Sequence, residues 1–442
     1  YNRLAIAKNN NIYLSDFSNG AIIIKDNKTF QLNTSNGLPT NQIFNLTFDN
    51  ENNLWLGFSG FGASQLIAAK FKSFDKDFGL QSNQVQTVCM DSKEQLWVGT
   101  TSAVDIIKLN NNSFEKTIKK LNDFVTLDYK KIFHIIEDKN NLMWIATDNG
   151  VFIIDEKFRL FRHLTMENGI SNDETRNISQ DIQGNIWLVS LKNGITKITP
   201  SKDGDFTITP YFKKDGLCSD KFWTVYSSKS GPVYFGSNDG GITVYKDNAF
   251  STLDLNQGLT NLRAGSITED SKGNIWIGTI GGGIFKYTGN EFHQFSSEDG
   301  LSADNPYLVQ GDNFGKIWVG TNSGLDVIDC NSLPDKENRT NCFKHYGINE
   351  GFTGVETNQN AKLKDALGNL WFGTVKGVIS CNPKEIANDT LIPKMHIVNK
   401  KLFLRDEITN NKHVFNYKEN YISFDFIGLH FVNPHQVYYS YK

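Results

Sequence analysis

The stretch GLTNLRAGSITEDSKGNIWIGTIGGGIFKYTGNEFHQFS, residues 258–296, decides the fold of this 442-residue chain. It reads as four short strands: an inner strand with Ile267 buried, then IWIGT, then IFKYT, and an outer strand EFHQFS. The turn SKGN joins the first two strands, and its Gly273 and Asn274 tolerate positive φ. Four antiparallel strands in about 40–45 residues is the size of a β-propeller blade.

The same pattern recurs nine times along the chain. Its anchor is an aromatic residue, followed in the best copies by hydrophobic-Gly-Thr, and successive anchors stand 42 to 53 residues apart. An Asp lies six residues before every anchor Trp, and a Gly-Leu or Gly-Ile pair ends 17 residues before six of the anchors. Three landmarks at fixed offsets indicate a repeat architecture. The anchors are Tyr13, Trp55, Trp97, Trp144, Trp187, Tyr234, Trp276, Trp318 and Trp371.

One four-stranded unit is too thin to bury its aromatic flanks alone. Stacking such units around an axis buries the Trp and Phe side chains between neighbours, so the sequence predicts an all-β fold with propeller blades. We interpret the repeated Asp as a turn residue that accepts hydrogen bonds from nearby backbone N–H groups. No metal site is expected there, because each copy supplies a single carboxylate.

The number of blades predicts how they divide into rings. Nine exceeds the roughly four to eight blades of one propeller, so we divide them into seven plus two. Residues 70–390 are predicted to form a complete seven-bladed ring, and residues 1–69 the last two blades of a preceding ring. The last repeat shows no fourth strand, and the segment KFKSFD, residues 70–75, is expected to supply it, because unpaired strand edges are a liability. A single eight- or nine-bladed ring is the alternative.

After about residue 390 the blade pattern ends. Residues 391–442 contain YISFDF, which alternates with period two, and a Tyr-rich run, Val437–Tyr441. We predict that residues 391–442 begin a separate β-sandwich.

Composition and charge restrict the function classes. The net charge of −3 offers no basic face for nucleic acid, and no apolar run approaches the ~20 residues that span a bilayer. Five scattered cysteines do not suggest a disulfide framework or a zinc site. Cys330 and Cys342 bracket a polar insertion, where a bridge in an oxidising compartment and two separate thiols remain alternatives.

The motif GL-x-x-N…D-x-x-G-N-h-W-h-G-T-x-x-G-G-h resembles the two-component-regulator propeller repeat, and ENYISFDFIGLHFVNPHQVYYSYK, residues 419–442, resembles the start of the three-tyrosine (Y_Y_Y) domain. The resemblance covers essentially the whole chain. It implies the periplasmic sensor region of a Bacteroidetes two-component receptor, often a hybrid histidine kinase. Such receptors carry two seven-bladed propellers, a Y_Y_Y sandwich, and a transmembrane helix that leads to the kinase.

The resemblance also implies partners. Many such receptors sense oligosaccharides and control polysaccharide-utilisation genes. It implies a homodimer through the Y_Y_Y domain and membrane attachment only through a transmembrane helix, which is missing from these residues. The chain also lacks a complete first propeller, a finished sandwich and a kinase, so signalling output is implied by resemblance alone.

Candidate ligand-binding residues follow the Gly-Leu pairs, where the fourth and sixth positions differ between blades while the framework stays constant. Planar polar groups and two aromatic residues suit sugars, which stack on aromatic rings and pair through their hydroxyls, and the cationic members suit an acidic sugar. The candidates are Glu174, Arg176, Lys221, Trp223, Arg263, Asn305, Tyr307 and Glu356. Trp223 is the one Trp outside the anchor series, although it could also simply fill the channel. His134, His163 and His293 have no patterned partner and are interpreted as surface or hydrogen-bonded histidines.

We find no catalytic motif, cofactor motif or metal motif in the sequence, and we expect this segment not to be an enzyme. Carboxylates on different blades, such as Glu174 and Glu356, leave a propeller glycoside hydrolase or polysaccharide lyase as one alternative. A protein-interaction scaffold is the other.

Overall fold

The computed structural model describes residues 3–8, 10–25, 28–34, 38–49, 52–66, 70–109, 116–201, 205–331, 333, 342–386, 394–403, 406–407, 415, 417–418 and 421–429. Internal contacts divide the chain into two units. One comprises Lys70–Ala387, and the other comprises Tyr1–Ala69 together with Asn388–Lys442.

The first residues of the chain form two antiparallel sheets that share a core. Strands β1–β4 are Arg3–Ile6, Ile12–Asp16, Gly20–Lys25 and Lys28–Leu32, and strands β5–β7 are Ile43–Phe48, Leu54–Phe58 and Ala63–Leu66. Ala21 from the first sheet is buried with Ile43, Leu46 and Leu56 from the second. Both sheets therefore have the strand order and lateral packing expected of blades.

The unit Lys70–Ala387 contains seven four-stranded antiparallel sheets, here called sheets 1 to 7. Strand β8 is Lys72–Phe74. Sheet 1 has β9–β12, Val85–Met90, Gln95–Thr100, Val104–Leu109 and Lys116–Lys120; sheet 2 has β13–β16, Ile132–Glu137, Met143–Thr147, Gly150–Ile154 and Leu160–Leu164; sheet 3 has β17–β20, Thr175–Gln180, Ile186–Ser190, Ile195–Pro200 and Phe206–Tyr211. Sheet 4 has β21–β24, Phe222–Ser227, Val233–Ser237, Ile242–Lys246 and Ala249–Leu253; sheet 5 has β25–β28, Ala264–Glu269, Ile275–Thr279, Gly283–Tyr287 and Phe292–Phe295. Sheet 6 has β29–β32, Leu308–Gly311, Lys316–Thr321, Gly324–Asp329 and Phe343–Tyr346; sheet 7 has β33–β35, Thr357–Lys364, Leu370–Thr374 and Gly377–Cys381, and is completed by β8.

Strand β8 supplies the missing fourth strand of sheet 7. Phe74 pairs with Val378 and Lys72 pairs with Ser380 in antiparallel register. The predicted closing strand is thereby confirmed.

Seven hydrophobic clusters join the seven sheets in a cycle. Each cluster contains residues from two neighbouring sheets, and the first strands of neighbouring sheets lie against each other. The seventh cluster places Trp371 and Val378 of sheet 7 against Val85 and Val98 of sheet 1. The sheets therefore form a seven-bladed ring, as predicted, and their first strands are the inner strands around its channel.

The repeated Asp has the structural role predicted for it. Asp270 Oδ1 accepts from the backbone N–H groups of Lys272 and Asn274, both at 2.9 Å. Its Oδ2 accepts from Nε1 of the buried Trp276, also at 2.9 Å. All seven Asp–Trp pairs make this indole bond at 2.8–3.0 Å. The carboxylate thus fixes the turn and, where the Trp is buried as in sheet 5, satisfies an indole N–H that has no access to water.

A short 3-10 turn precedes the Gly-Leu pair in most sheets, and the Gly ends it. Gly169, Gly216, Gly258, Gly300 and Gly351 have φ between 93° and 103°, the left-handed region that glycine adopts without steric cost. These five turns are Met166–Asn168, Lys213–Asp215, Leu255–Gln257, Ser297–Asp299 and Ile348–Glu350; a sixth, Leu121–Asp123, ends at Phe124 instead.

The last described strands form a separate sheet. Strands β36–β38, Lys394–Leu402, Asp406–Glu407 and Ile422–Leu429, pair in the order β37-β36-β38. The Tyr-rich run Val437–Tyr441 lies outside the described residues.

The possible bridge between Cys330 and Cys342 is not formed in the structure. Cys330 is buried in the hydrophobic core between sheets 5 and 6, and Cys342 packs against that core. The Sγ of Cys342 donates to the Asp299 carbonyl at 3.4 Å. Of the two alternatives, the structure therefore shows two separate thiols.

Candidate functional site

The predicted ligand-binding residues gather at one end of the ring. Arg176 and Trp223 are the second residues of their inner strands, and Arg263, Tyr307 and Glu356 stand immediately before theirs. Because all inner strands run in the same direction around the channel, these positions share one end, which we call the GL face. The opposite end, where the inner strands finish at the repeated Asp, is the turn face.

Arg176 is the centre of a cluster on the GL face. Its guanidinium packs over the Phe133 ring, with Cζ 4.1 Å from the ring centroid, and lies 5.8 Å from the centroid of Trp223. Its Nη2 donates to Glu174, and Lys192 Nζ lies 2.6 Å from the second oxygen of Glu174. Phe133, Arg176 and Trp223 come from sheets 2, 3 and 4, so the cluster joins three adjacent blades.

Burial and neighbouring charges have opposite effects on the pKa of Glu174. Burial raises the pKa of Glu174, but its hydrogen bond with Lys192 and the charge of Arg176 outweigh burial and bring that pKa below its ordinary value. Glu174 therefore stays ionised and acts as an acceptor. The buried Nε of Arg176 has no hydrogen-bond partner among the described residues.

Trp223 is held by a hydrogen bond at its edge. Its Nε1 donates to Asn238 Oδ1 at 3.0 Å, and the side chain is half-buried. The indole is thus fixed in orientation while part of its surface remains accessible.

The other predicted residues lie around the rest of the GL face. Burial raises the pKa of Tyr307 in sheet 6, and the neighbouring charge of Glu356 in sheet 7 raises it further. Lys221 Nζ lies 3.6 Å from Asp239, and both side chains are exposed. Arg263 and Asn305 are exposed as well. The structure therefore brings Glu174, Arg176 and Trp223 together, and Tyr307 and Glu356 together.

Two side chains from the inner strand of sheet 7 reach across the channel to sheet 5, which the repeat pattern did not reveal. Gln359 Nε2 and Asn360 Nδ2 both donate to the Gly265 carbonyl of sheet 5, at 2.5 and 2.9 Å. The ladder of this strand is interrupted between Thr357 and Lys362. A sequence signal exists: Asp365 lies 13 positions after Phe352, whereas the corresponding offset is 11 in the five sheets that follow a Gly-Leu or Gly-Ile pair. Two inserted residues create a bulge, which re-aims side chains towards the channel.

A girdle of side chains surrounds the channel on the turn-face side of this crossing. In four sheets, the residue four positions before the repeated Asp accepts a hydrogen bond from the inner strand of the next sheet. The pairs are Ile135 N to Thr87 Oγ1 at 3.2 Å, Ile178 N to His134 Nδ1 at 3.4 Å, Val225 N to Asn177 Oδ1 at 3.0 Å and Val309 N to Ser266 Oγ at 3.1 Å. His134 is therefore a hydrogen-bonded histidine, as predicted, and burial lowers its pKa to about 4.

A cavity of about 270 Å³ lies within the channel at this level and extends towards the turn face. His134, Asn177, Thr224, Asn360 and Lys362 are among its lining residues. Sequence reasoning missed Asn360 and Lys362, because the two-residue insertion displaces them from the positions that correspond in other blades.

The described residues contain no group of His, Cys, Asp and Glu side chains arranged to hold a metal ion. Nor does any helix in the described part of the chain have the length and apolar character to cross a membrane.

Two stretches of the propeller, residues 79–102 and 258–281, match the two component regulator propeller family. Each one spans a Gly-Leu pair, an inner strand, the Asp turn and a second strand, in sheets 1 and 5. No curated protein matches the chain.

Solved structures with the same fold include extracellular sensor regions. The extracellular domain of the hybrid two component system BT3049 from B. thetaiotaomicron aligns with 98% of this chain at TM-score 0.74 and 18% identity, and this chain spans 60% of its length. The extracellular domain of the hybrid two component system BT4673 from the same organism aligns with 96% of this chain at TM-score 0.58 and 19% identity, over 60% of its own length. This chain thus has the fold of extracellular two-component sensor domains.

Part of this chain also has the fold of a solved enzyme structure. Virginiamycin B lyase from Staphylococcus aureus aligns with 70% of this chain and 98% of its own length, at TM-score 0.53 and 16% identity. Identities this low establish the fold and leave function to be argued from the site.

Proposed function

We propose that this chain is the periplasmic ligand-sensing region of a membrane-bound two-component sensor, and that its seven-bladed ring binds an oligosaccharide on the GL face. The observation that supports this proposal is the cluster of Phe133, Glu174, Arg176 and Trp223. An aromatic face, a carboxylate acceptor and a guanidinium donor lie side by side there.

These groups suit a sugar because they offer complementary interactions at fixed positions. The accessible part of the Trp223 indole stacks on the apolar face of a sugar ring, while Glu174 and Arg176 pair with its hydroxyls. The contacts to Phe133, Lys192 and Asn238 hold these side chains before the ligand arrives, which reduces the entropy lost on binding. Lys221, Arg263, Asn305 and the Tyr307–Glu356 pair provide further contacts for a longer ligand.

The remaining functional assignments concern the whole protein. We infer that the output is a histidine kinase controlling polysaccharide-utilisation genes, that the Y_Y_Y region mediates a homodimer, and that this segment itself has no catalytic role. The fold shared with two extracellular sensor domains supports the extracytoplasmic placement.

Isothermal titration of the chain against plant, host and algal oligosaccharides tests the proposal. We expect one glycan class to bind, and Trp223→Ala to weaken its binding about tenfold or more, because a central aromatic anchor contributes about 2 kcal/mol or more. Lys272→Ala is the matched control, since Lys272 is exposed in the Asp270 turn on the opposite face. Its affinity should equal that of the unmodified chain.

Two results would contradict the proposal. One is the absence of binding across the whole panel. The other is release of new reducing ends or unsaturated products when the bound glycan is incubated with the chain, which would favour the hydrolase or lyase alternative.

A further inference from the structure

The channel cavity is separate from the GL-face cluster. Its lining includes Glu137, Gln180 and Tyr226, which stand at the last or next-to-last positions of their inner strands, near the turn face. The side chains of Gln359 and Asn360 meet the Gly265 carbonyl. Gly265 is the second residue of its inner strand, so this contact lies on the GL-face side of the cavity. The cavity thus belongs to the turn-face half of the channel.

Asn360 carries a buried acceptor that nothing in the described chain satisfies. Its side chain is 6% exposed, and its Nδ2 donates to the Gly265 carbonyl, which fixes the orientation of the amide. Oδ1 of Asn360 has no hydrogen-bond partner among the described residues. Its backbone is also in the left-handed region, with φ of 55°. A buried polar atom without a partner is costly, and in a cavity it indicates a missing donor.

Lys362 places a cation in the same cavity. Its Nζ donates to Ser266 Oγ at 3.1 Å, the Ile267 carbonyl at 2.7 Å and the Val309 carbonyl at 2.6 Å. Burial lowers the pKa of this amine to about 7. No described carboxylate forms an ion pair with it, and its three N–H groups are paired with one hydroxyl and two carbonyl oxygens, all of them neutral.

The other ionisable groups of the lining do not neutralise Lys362. Glu137 accepts from the Ser92 backbone N–H at 2.7 Å and from Ser92 Oγ at 2.9 Å. His134 accepts through Nδ1, so its proton resides on Nε2 and the ring is a further donor. The lining therefore combines an amine that no described carboxylate pairs with, a carboxylate that Ser92 holds, a neutral donor and one unsatisfied acceptor.

We propose that this cavity binds a small hydroxycarboxylate of monosaccharide size, such as a uronic acid, with its carboxylate beside Lys362 and a hydroxyl donating to Asn360 Oδ1. A carboxylate supplies the negative partner that no described residue offers to Lys362, and a hydroxyl supplies the hydrogen-bond donor that Asn360 Oδ1 lacks. The volume of about 270 Å³ is close to the lower end, ~300 Å³, of ligand pockets, and so selects a compact molecule. The site does not rest on the oligosaccharide proposed for the GL face.

Isothermal titration with D-glucuronate, D-galacturonate and D-glucose tests this site. We expect a uronate to bind and glucose, which has no carboxylate, to bind at least about tenfold more weakly. Lys362→Met should reduce uronate affinity about tenfold to a hundredfold, whereas the control Lys364→Met, on the same strand but outside the lining, should leave it unchanged. Trp223→Ala should also leave it unchanged, which separates this site from the GL face.

A second measurement uses the unmodified chain, in case Lys362→Met does not fold. Acetylation of Lys362 by acetic anhydride, followed by mass spectrometry, should slow in the presence of the uronate and proceed at its original rate with glucose. Equal affinity for uronate and glucose, full binding by a folded Lys362→Met variant, no binding at millimolar uronate, or unprotected acetylation of Lys362 would each overturn the assignment.

Discussion

At the scale of single residues, the Asp–Trp pair is the unit that the repeat reuses. In sheet 4 both partners are replaced together: Ser228 stands at the Asp position and Tyr234 at the Trp position. A tyrosine carries no indole N–H, so the carboxylate has no buried donor to satisfy there. The Asp and the Trp are therefore replaced together, as expected if the hydrogen bond between them is what the fold requires.

A double-mutant cycle in sheet 5 tests this coupling. Asp270→Ala should lower the free energy of unfolding by about 1–3 kcal/mol, because it leaves the N–H of the fully buried Trp276 unsatisfied. In a Trp276→Phe background the same change should cost clearly less, since the donor is already absent. Urea unfolding of the four proteins measures the coupling, and strictly additive costs would contradict it.

His345, on the outer strand of sheet 6, makes a pH-dependent contribution to the stability of the folded state. Its Nδ1 lies 2.8 Å from Oδ1 of the fully buried Asp326, whose other oxygen accepts from Ser302. This hydrogen bond raises the pKa of His345 above its ordinary value. Because the folded state holds the proton more tightly, the stabilisation is complete below the unfolded pKa of about 6.5 and is lost as pH rises through the folded pKa.

His345→Gln keeps a hydrogen-bond donor and removes the titration. The stability advantage of the unmodified chain over this variant should be larger at about pH 6 than at about pH 9, as measured by urea midpoints. An advantage independent of pH, or larger at high pH, would show that protonation of His345 is not linked to folding.

At the scale of strands, closure of the ring depends on β8. Phe74 is 6% exposed, packs against Trp371 with ring centroids 5.5 Å apart, and belongs to the core between sheets 7 and 1. Phe74→Ala should destabilise the propeller by about 3–5 kcal/mol, the usual cost of truncating a buried Phe. Lys72→Ala, at an exposed position of the same strand, should change stability by less than about 0.5 kcal/mol. Equal effects of the two substitutions would mean that β8 is not part of the core.

At the scale of the whole molecule, seven cores in a cycle leave no blade with a free flank. A linear array of repeats unfolds from its ends, whereas each sheet of this ring has two neighbours. We therefore expect hydrogen exchange in the second strands of sheets 1 to 7, such as Gln95–Thr100 and Leu370–Thr374, to converge on one opening free energy. A graded series that decreases from sheet 1 or from sheet 7 would contradict cooperative closure.

The sequence by itself determined the blade and the closing strand, and it favoured a seven-bladed ring over a single ring of eight or nine blades. These features depend on local patterns: the Asp turn, the alternation of buried residues and the Gly that ends five of the 3-10 turns act within a few residues of one another. The positions of Arg176, Trp223 and Tyr307 at one end of the ring also followed from the sequence. Residues that follow their Gly-Leu pairs by the same number of positions lie at the same height along the channel.

Only the tertiary structure decided which of those residues meet, and it alone revealed the channel cavity. The stacking of Arg176 between Phe133 and Trp223, and the reach of Lys362 to the Ile267 and Val309 carbonyls, join residues 43 to 95 positions apart in the chain. The two-residue insertion in sheet 7 is visible in the sequence, but the direction in which a bulge turns its side chains depends on the space that the other six sheets leave. Contacts across a ring are set by how the blades pack around the axis, and no local pattern encodes that packing.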